Sequence, residues 1–424
     1  MATTTYSDPL APFFEHSVSA AGLERVLQVV RRHLSMDVAF ISRFQDSDRV
    51  LDYVDGEAGC VLQPGQVVPL GSGYCLKVIR GELPEYIPDT SRVPAAMEIP
   101  ETVSIPIGSH LSTPIVLEDH RLFGTLCCFS HQPVASLAER DMDVLRAFAE
   151  FLGFYFDLAA RREKEREAVA HVIRAAMQDG HLRTVFQPVY DIGRRSLHGF
   201  ECLSRFDMEP LRPPDQWFSA AHSVGLGMEL ELHAIRRALS SLECFPAALP
   251  FNVNCSPDFI LSGRLQALMD DGTDLSRVVL EVTEHAAVND YAALAEALQP
   301  FRARGICLAV DDAGAGYSSM RHILQLQPEI IKLDISITQS IDRDSHRRAL
   351  AKGLISFAHE IGSRIVAEGV EESAELETLG RLGVDFAQGY YLARPLALQD
   401  AVLAARGAGR PGATGMRGAR AAGA

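Results

Sequence analysis

The sequence predicts an α/β protein whose larger part is a (β/α) barrel. In the second half of the chain, short apolar runs typical of buried strands alternate with segments of helical spacing, such as 291–304 and 346–361. This alternation is typical of a parallel sheet. Several of the runs end in polar residues, and the functional side chains of such barrels gather at the carboxyl ends of the strands. We therefore expect one site built from several strand ends.

The stretch 307–317 is the clearest of these strand ends. Small and apolar residues lead into Asp311 and Asp312, and Gly314 and Gly316 allow the chain to turn there. Burying two adjacent carboxylates is costly unless cations neutralise them, so the pair indicates a metal site. Taken alone, a solvated turn would explain the pair about as well.

The same arrangement recurs before and after this stretch. Apolar runs lead into Glu201 and Arg205, Asn254, Glu281 and Glu284, Lys332 and Asp334, and Glu368 and Glu371. Each run ends in side chains of the kind that bind metal or phosphate. Oxygen ligands with almost no histidine suit hard cations such as Mg²⁺ or Mn²⁺.

These motifs resemble those of the EAL-type cyclic di-GMP phosphodiesterases from about residue 170 to 398. The matching segments are 186–188, 201–205, 253–256, 281–284, 311–312, 332–334, 367–371 and 388–391. The resemblance implies a TIM-like barrel, placed at 180–404. It also implies a hydrolase that converts cyclic di-GMP to the dinucleotide pGpG with two metal ions.

The resemblance further implies a role for each residue of the site. One ion would be held by Glu201, Asn254, Glu281 and Asp311. Asp311 would bridge to a second ion near Asp312 and Glu368. Glu368 would be the general base, and Lys332 would orient or polarise the attacking water. The residues expected to contact substrate are Gln187, Leu203, Arg205, Asp334, Glu371 and Gln388, and Glu284 would brace the loop after Asp312.

One departure from the family pattern leaves an alternative open. Ala313 stands where the family usually has phenylalanine. Losing an aromatic anchor is expected to loosen the second metal site, and Ala313→Phe is expected to tighten it. The alternative function is a catalytically weak or inactive receptor that binds cyclic di-GMP and signals by protein contact. Hydrolysis of other short oligonucleotides also stays open.

The first half of the chain resembles a GAF sensory domain of the α+β class, placed at 17–157 after an extension at 1–16. A helical segment, strands, a long middle and a hairpin follow one another in the order of that family. Cys75 is not followed by the histidine of bilin-attaching members. Cys127 and Cys128 are adjacent and would point to opposite faces of a strand, and His110 is isolated. An unidentified small ligand, or none, is therefore expected rather than a metal or haem.

A helical linker is expected at 158–179, and a glycine-rich disordered tail at 405–424. One 3–4 seam, with Arg162 and Arg166 in its middle, consists of Leu145, Phe148, Leu152, Tyr155, Ala159, Val169, Ile173 and Ala176. Two interpretations stay open for this seam. It could form a parallel coiled coil in a homodimer, or the two ends could pack on their own domains.

Composition narrows the class of protein. The net charge of −15 argues against bulk binding of nucleic acid. The eight cysteines have no paired metal-type spacing and are expected to be reduced. No apolar run is long enough to span a bilayer, and no signal peptide is visible at the start of the sequence. A cytoplasmic protein without a membrane partner is expected.

Overall fold

The computed structural model describes residues 20–57, 59–178, 180–270, 275–282, 288, 290–314 and 317–408. It divides into a first compact unit that ends at Arg166 and a second that begins at Glu167. The expected N-terminal extension and residues 409–424 of the expected tail lie outside the described residues. Residues 405–408, which the sequence analysis also assigns to the disordered tail, instead end a helix, and Ala405 is buried in a core cluster.

The first unit contains an antiparallel sheet of six strands in the order β3–β2–β1–β6–β5–β4. Its elements are α1 (Ala20–His33), β1 (Val38–Gln45), β2 (Asp48–Gly56), β3 (Val67–Pro69), α2 (Tyr74–Ile79), β4 (Tyr86–Ile87), α3 (Pro94–Met97), α4 (Pro100–Ser104), β5 (Ser109–Val116), β6 (Leu122–Ser130) and most of α5 (Glu139–Ala176), whose last residues belong to the second unit.

Both faces of this sheet are covered. One face packs against α1 and α5 through a cluster that includes Leu27, Leu152 and Cys128. The other face packs against α2 and the turns around α3, and that cluster includes Tyr74 and Cys127. Adjacent residues of a strand point to opposite faces, which explains why the two neighbouring cysteines belong to different clusters.

Helix α5 spans the residues on which the coiled-coil interpretation was based. Leu145 and Leu152 are fully buried in the first unit, and Ile173 and Ala176 are fully buried in a cluster of the second. These four residues are therefore covered by packing within the chain, whereas Phe148, Tyr155, Ala159 and Val169 of the same seam are half-buried. The other interpretation, in which each end packs on its own domain, describes these residues, and residues 160–168 between the two ends are exposed.

The second unit is a closed barrel, formed by eight of the described strands in the order β7–β8–β9–β10–β11–β12–β13–β14. The strands are β7 (Leu182–Asp191), β8 (Ser196–Phe206), β9 (Phe251–Cys255), β10 (Val278–Val282), β11 (Cys307–Ala313), β12 (Ile330–Leu333), β13 (Arg364–Ala367) and β14 (Phe386–Ala387). The helices are α6 (Pro214–Ser223), α7 (Gly227–Leu239), α8 (Pro257–Leu261), α9 (Arg264–Asp270), α10 (Tyr291–Arg302), α11 (Tyr317–Leu326), α12 (Ile335–Thr338), α13 (Ser345–Glu360), α14 (Ser373–Leu382) and α15 (Leu398–Ala408).

The barrel differs from the all-parallel sheet that the alternation of strands and helices predicts. Strand β7 runs antiparallel to both of its neighbours, β8 and β14, while the other neighbouring pairs are parallel. The cause is the connection between β7 and β8, which is a short turn without a helix. Strands joined in this way form an antiparallel hairpin.

Among the described residues, no helix combines the length and the apolar character needed to cross a bilayer.

Candidate active site

The barrel interior explains why the polar residues of several strands meet. An apolar layer fills the barrel and consists of Val189, Val279, Ala309, Ile330, Val366 and Phe386. Side chains on one face of a strand recur every second residue. The next inward residues toward the carboxyl ends of the parallel strands are Glu281, Asp311, Lys332, Glu368 and Gln388. Because β7 runs in the opposite direction, its residue at this level is Gln187, which precedes Val189.

Lys332 lies at the centre of this second layer. Its Nζ is 2.6 Å from Glu368 Oε1, 3.2 Å from Asp311 Oδ1 and 3.6 Å from Glu201 Oε1, and it donates a hydrogen bond to Glu281. The ammonium side chain is only 1% exposed. Four carboxylates thus surround one buried cation. This excess of negative charge is unfavourable in a buried site unless further cations are bound.

Two amide side chains fix the orientation of the carboxylates on either side. Asn252 donates a hydrogen bond of 3.1 Å from Nδ2 to Glu281 Oε2. Gln388 donates from Nε2 to Glu201, and its Oε1 is buried and accepts no hydrogen bond from the described residues. A buried acceptor without a donor fits a site that holds water or a ligand. Asn252 was not among the expected site residues.

Asp311 and Asp312 reach the same site because β11 bends near its carboxyl end, where these two residues lie. The register with β12 shifts between Val310 and Ala313, and Asp312 has a φ of 54° in the left-handed region. The backbone N–H of Asp312 donates a 3.0 Å hydrogen bond to Asp311 Oδ1. Oxygens of Asp311, Asp312 and Glu368 lie within 4.8 Å of one another, which is close enough for one metal ion to contact all three.

Burial changes the protonation of these groups. It raises the pKa of Glu281 well above its usual value, with Lys332 acting in the opposite direction. It also raises the pKa of Glu368 to about 8, again against the effect of Lys332. For Lys332 itself, burial lowers the pKa, but the surrounding carboxylates raise it well above normal. Cations that bind here would therefore replace the protons that the raised pKa values place on these carboxylates.

The loop that carries Glu368 is held by two residues that the sequence analysis did not identify. Thr338 donates a hydrogen bond from Oγ1 to the backbone carbonyl of Glu368. The buried carboxylate of Glu375 accepts hydrogen bonds from the backbone N–H groups of Ser340, Glu371 and Glu372, at 2.6, 2.8 and 3.0 Å. The bond to Glu372 is part of a capping box at the start of α14, which is a local spacing, whereas the bond to Ser340 joins a distant segment that no local pattern indicates.

The remaining expected site residues take varied positions. Asn254 is half-buried and pairs in register with Glu281, and Gln187 is buried and pairs in register with Glu201. Leu203 and Arg205 are half-buried on β8. Asp334 caps α12 by accepting a hydrogen bond from the Ser336 N–H at 2.9 Å, and Glu371 is exposed. Glu284 lies outside the described residues.

The surroundings of Ala313 bear on the expectation that the second metal site is loosened. The Ala313 side chain is 0% exposed and belongs to a cluster with Val310, Leu333 and Ile337. A phenylalanine here would have to displace these neighbours, while the expected loosening of the second metal site stays a prediction.

The fold and the acidic layer define a GAF domain followed by a TIM-type barrel with a candidate metal site. The GAF domain family model matches residues 21–157, and the EAL domain family model matches residues 170–395. The second match covers more than half of the sequence, and the chain belongs to the EAL domain family.

Two curated relatives carry names that state a reaction. NbdA of Pseudomonas aeruginosa, a cyclic di-GMP phosphodiesterase, is 28% identical over 261 residues, which are 59% of this chain and 33% of NbdA. PdeG of Escherichia coli, a probable cyclic di-GMP phosphodiesterase, is 28% identical over 268 residues, which are 60% of this chain and 51% of PdeG. The match thus spans about a third to a half of these relatives.

A solved structure resembles most of the chain. The EAL enzyme Bd1971 in its cAMP- and cyclic-di-GMP-bound form has a TM-score of 0.55 and 17% identity. The similarity covers 87% of this chain and 93% of that chain. At this identity the likeness establishes the fold only.

Proposed function

We propose that this protein hydrolyses cyclic di-GMP to pGpG and uses two divalent metal ions to do so. The observation that carries the proposal is the buried layer in which four carboxylates surround Lys332, with Asp312 at its edge. Membership of the EAL family and the names of NbdA and PdeG support the choice of substrate.

The donor set fits a pair of hard cations. Its ligating atoms are carboxylate and amide oxygens, which Mg²⁺ and Mn²⁺ prefer. Asp311, Asp312 and Glu368 would hold one ion, and Glu201, Asn254, Glu281 and Asp311 would hold the other. When bound, such ions neutralise phosphate charge and make a water molecule more acidic.

The protein's own groups then have distinct tasks. Glu368 accepts the proton of the attacking water at its carboxylate. Lys332 keeps this carboxylate in place through the 2.6 Å contact with Oε1 and orients the water. Gln388 holds Glu201, and Asn252 holds Glu281, so that both carboxylates keep one orientation.

Substrate contacts are proposed for the residues around the rim of the layer. Arg205 would bind a phosphate, and Leu203 would contact a base. Gln187, Asp334, Glu371 and Gln388 would complete the pocket. Arg205 already donates from Nη1 to the Ser204 carbonyl at 2.8 Å, which leaves other guanidinium N–H groups for a phosphate.

Regulation, assembly and location form the rest of the proposal. The GAF domain would tune the rate of hydrolysis through an unidentified ligand, and the protein would act as a homodimer. All eight cysteines are free thiols, which supports action in the reducing cytoplasm.

The direct test is to incubate the purified full chain with cyclic di-GMP and Mg²⁺ or Mn²⁺ and to separate the products by chromatography. We expect pGpG, and we expect EDTA to stop its formation. Glu368→Gln should lower kcat by about 10²–10⁴-fold with little change in KM. Glu360→Gln, at an exposed position on α13, is the matched control.

Two results would contradict the proposal. Parent-like turnover by Glu368→Gln would remove Glu368 from the role of base. Cyclic di-GMP that binds to the parent protein with every metal tested but is never cleaved would favour the receptor function instead.

A further inference from the structure

The α2 side of the sheet in the first unit buries a pair of cysteines. Cys75 lies at the start of α2 and Cys127 lies on β6, and their sulfur atoms are 3.5 Å apart. Both residues are 0% exposed. They are 52 positions apart in the sequence, with no motif that joins them.

A buried arginine makes the two sulfur atoms unequal. Arg49 is 5% exposed, and its Nη1 lies 2.8 Å from Cys75 Sγ. Its Nη2 donates to Glu101 Oε1 at 2.7 Å. A guanidinium group only donates hydrogen bonds, so the sulfur beside it must accept and is favoured as the thiolate. The hydrogen bond from Cys127 and the charge of Arg49 lower the pKa of Cys75 to about 5, against the opposing effect of burial.

Cys127 is in a different environment. Its sulfur contacts the hydroxyls of Ser112 at 3.1 Å and Thr125 at 3.2 Å, and within the described part of the chain it has no hydrogen bond to a cation. Burial raises its pKa well above the usual value. A thiolate and a thiol therefore lie in direct contact. The guanidinium beside Cys75 disfavours a metal cation between the two sulfurs, because it already places a positive charge there.

We propose that Cys75 and Cys127 are a redox-modification site that hydrogen peroxide converts to a disulfide. In the first step, the Cys75 thiolate attacks one peroxide oxygen, the O–O bond breaks, and the released hydroxide takes up a proton to give water. In the second step, the Cys127 sulfur attacks the sulfenic sulfur of Cys75. The S–S bond forms, and the departing hydroxide leaves as water with the thiol proton. Two electrons pass from the thiols to one peroxide.

The geometry allows this change with little rearrangement. The sulfurs must close from 3.5 Å to about 2.05 Å, a displacement that side-chain rotation and a small shift of α2 can supply. The product joins α2 to β6 covalently. It also removes the negative charge beside Arg49, so that Glu101 becomes the principal partner of that guanidinium. Buried thiols react only when the domain opens locally, so oxidation is expected to be slower than for an exposed thiol.

The test uses the full-length protein, first reduced and then treated with hydrogen peroxide. Intact mass should fall by two hydrogen atoms, and digestion without reductant should give a linked pair of peptides that contain Cys75 and Cys127. Dithiothreitol should reverse both results. Cys128→Ser is the matched control, because Cys128 is the next residue on β6 and is equally buried on the other face. This variant should still form the link.

A second variant isolates the first step. Cys127→Ser has no resolving thiol, so Cys75 should remain as a sulfenic acid that a 1,3-dicarbonyl reagent labels. If this variant does not fold, the peptide map of the parent protein decides alone. A disulfide that links other cysteines would overturn the proposal. So would a folded parent protein that keeps Cys75 and Cys127 reduced under peroxide that oxidises the unfolded chain.

Discussion

At the scale of single residues, Lys332 balances the charge of the site. Replacing it with methionine leaves four carboxylates facing one another without a cation. Removing one partner of a buried ion pair costs about 3–5 kcal/mol. We therefore expect Lys332→Met to lower the melting temperature strongly in EDTA. Divalent metal should restore part of this loss, because it binds the native state only.

Thermal unfolding with and without Mg²⁺ measures this effect. Lys352→Met, at an exposed position on α13, is the control and should change neither curve. Equal melting temperatures for Lys332→Met and the parent in EDTA would show that the carboxylates do not depend on this ammonium.

Ala313 gives a second prediction at this scale. It is buried in a cluster with Val310, Leu333 and Ile337, so a large ring would have to displace these neighbours, and overpacking of a core costs about 1–3 kcal/mol. Ala313→Phe should therefore lower the free energy of unfolding and should not raise the rate of hydrolysis. Ala349→Phe on the exposed face of α13 is the control. An increase in rate together with unchanged stability would support the interpretation of a missing anchor.

The sequence analysis identified the site residues that lie at the ends of strands. Glu281, Asp311 and Lys332 each follow an apolar run, and that pattern is local. It missed Asn252, which lies one residue into a strand and is identified only by its contact with Glu281. It missed Glu375 for a related reason, because its partners are backbone N–H groups and one of them, that of Ser340, lies 35 residues away in sequence. Contacts of this kind depend on the register of the barrel and on loop paths.

At the scale of elements, α5 approaches the sheet of the first unit at one glycine. A Cβ placed on Gly153 would lie 2.2 Å from the backbone carbonyl oxygen of Val116 on β5. A backbone atom cannot rotate away, so Gly153→Ala should push α5 from the sheet and destabilise the unit by about 1–3 kcal/mol.

Gly353→Ala is the matched control for this substitution. Gly353 also lies within a helix, α13, but a Cβ there has no atom within 4 Å. This control should stabilise the protein by about 0.5–1 kcal/mol through helix propensity alone. Chemical denaturation of the two variants gives the comparison. A stabilising Gly153→Ala would mean that α5 does not lie so close to β5.

The elements also show what a periodic sequence pattern can and cannot predict. The 3–4 pattern of α5 predicted a buried seam, but a pattern does not say what covers it. Leu152 and Ile173 are covered by different clusters of the same chain. Similarly, alternation of strands and helices predicted a barrel, while the direction of β7 follows from the short turn that joins it to β8.

At the scale of the whole molecule, the packing of α5 bears on where the barrel unit begins. Ile173 and Ala176 are fully buried in a cluster that includes Leu182, Phe206 and Trp217. We propose that a stable piece begins at 167 rather than at 180. Burial of one isoleucine side chain contributes about 1.5–3 kcal/mol. The piece 167–408 should therefore melt at a clearly higher temperature than 180–408.

The two pieces differ only in residues 167–179, so each is the control for the other. Melting curves followed by circular dichroism give the comparison. Identical melting temperatures would place the boundary of the barrel unit at 180, as the sequence analysis expects.

The pairing that closes the barrel has a consequence for how the site arises during synthesis. Strand β14 pairs with β7 through only two residue pairs, Phe386 with Asp191 and Ala387 with Tyr190, whereas β7 and β8 share ten. The β14–β7 partners are also far apart in sequence, so closing this loop carries a large entropic cost. Gln388 holds Glu201 only after this closure. A chain still emerging from the ribosome therefore has no complete site, and the site is completed only when the second unit is almost fully made.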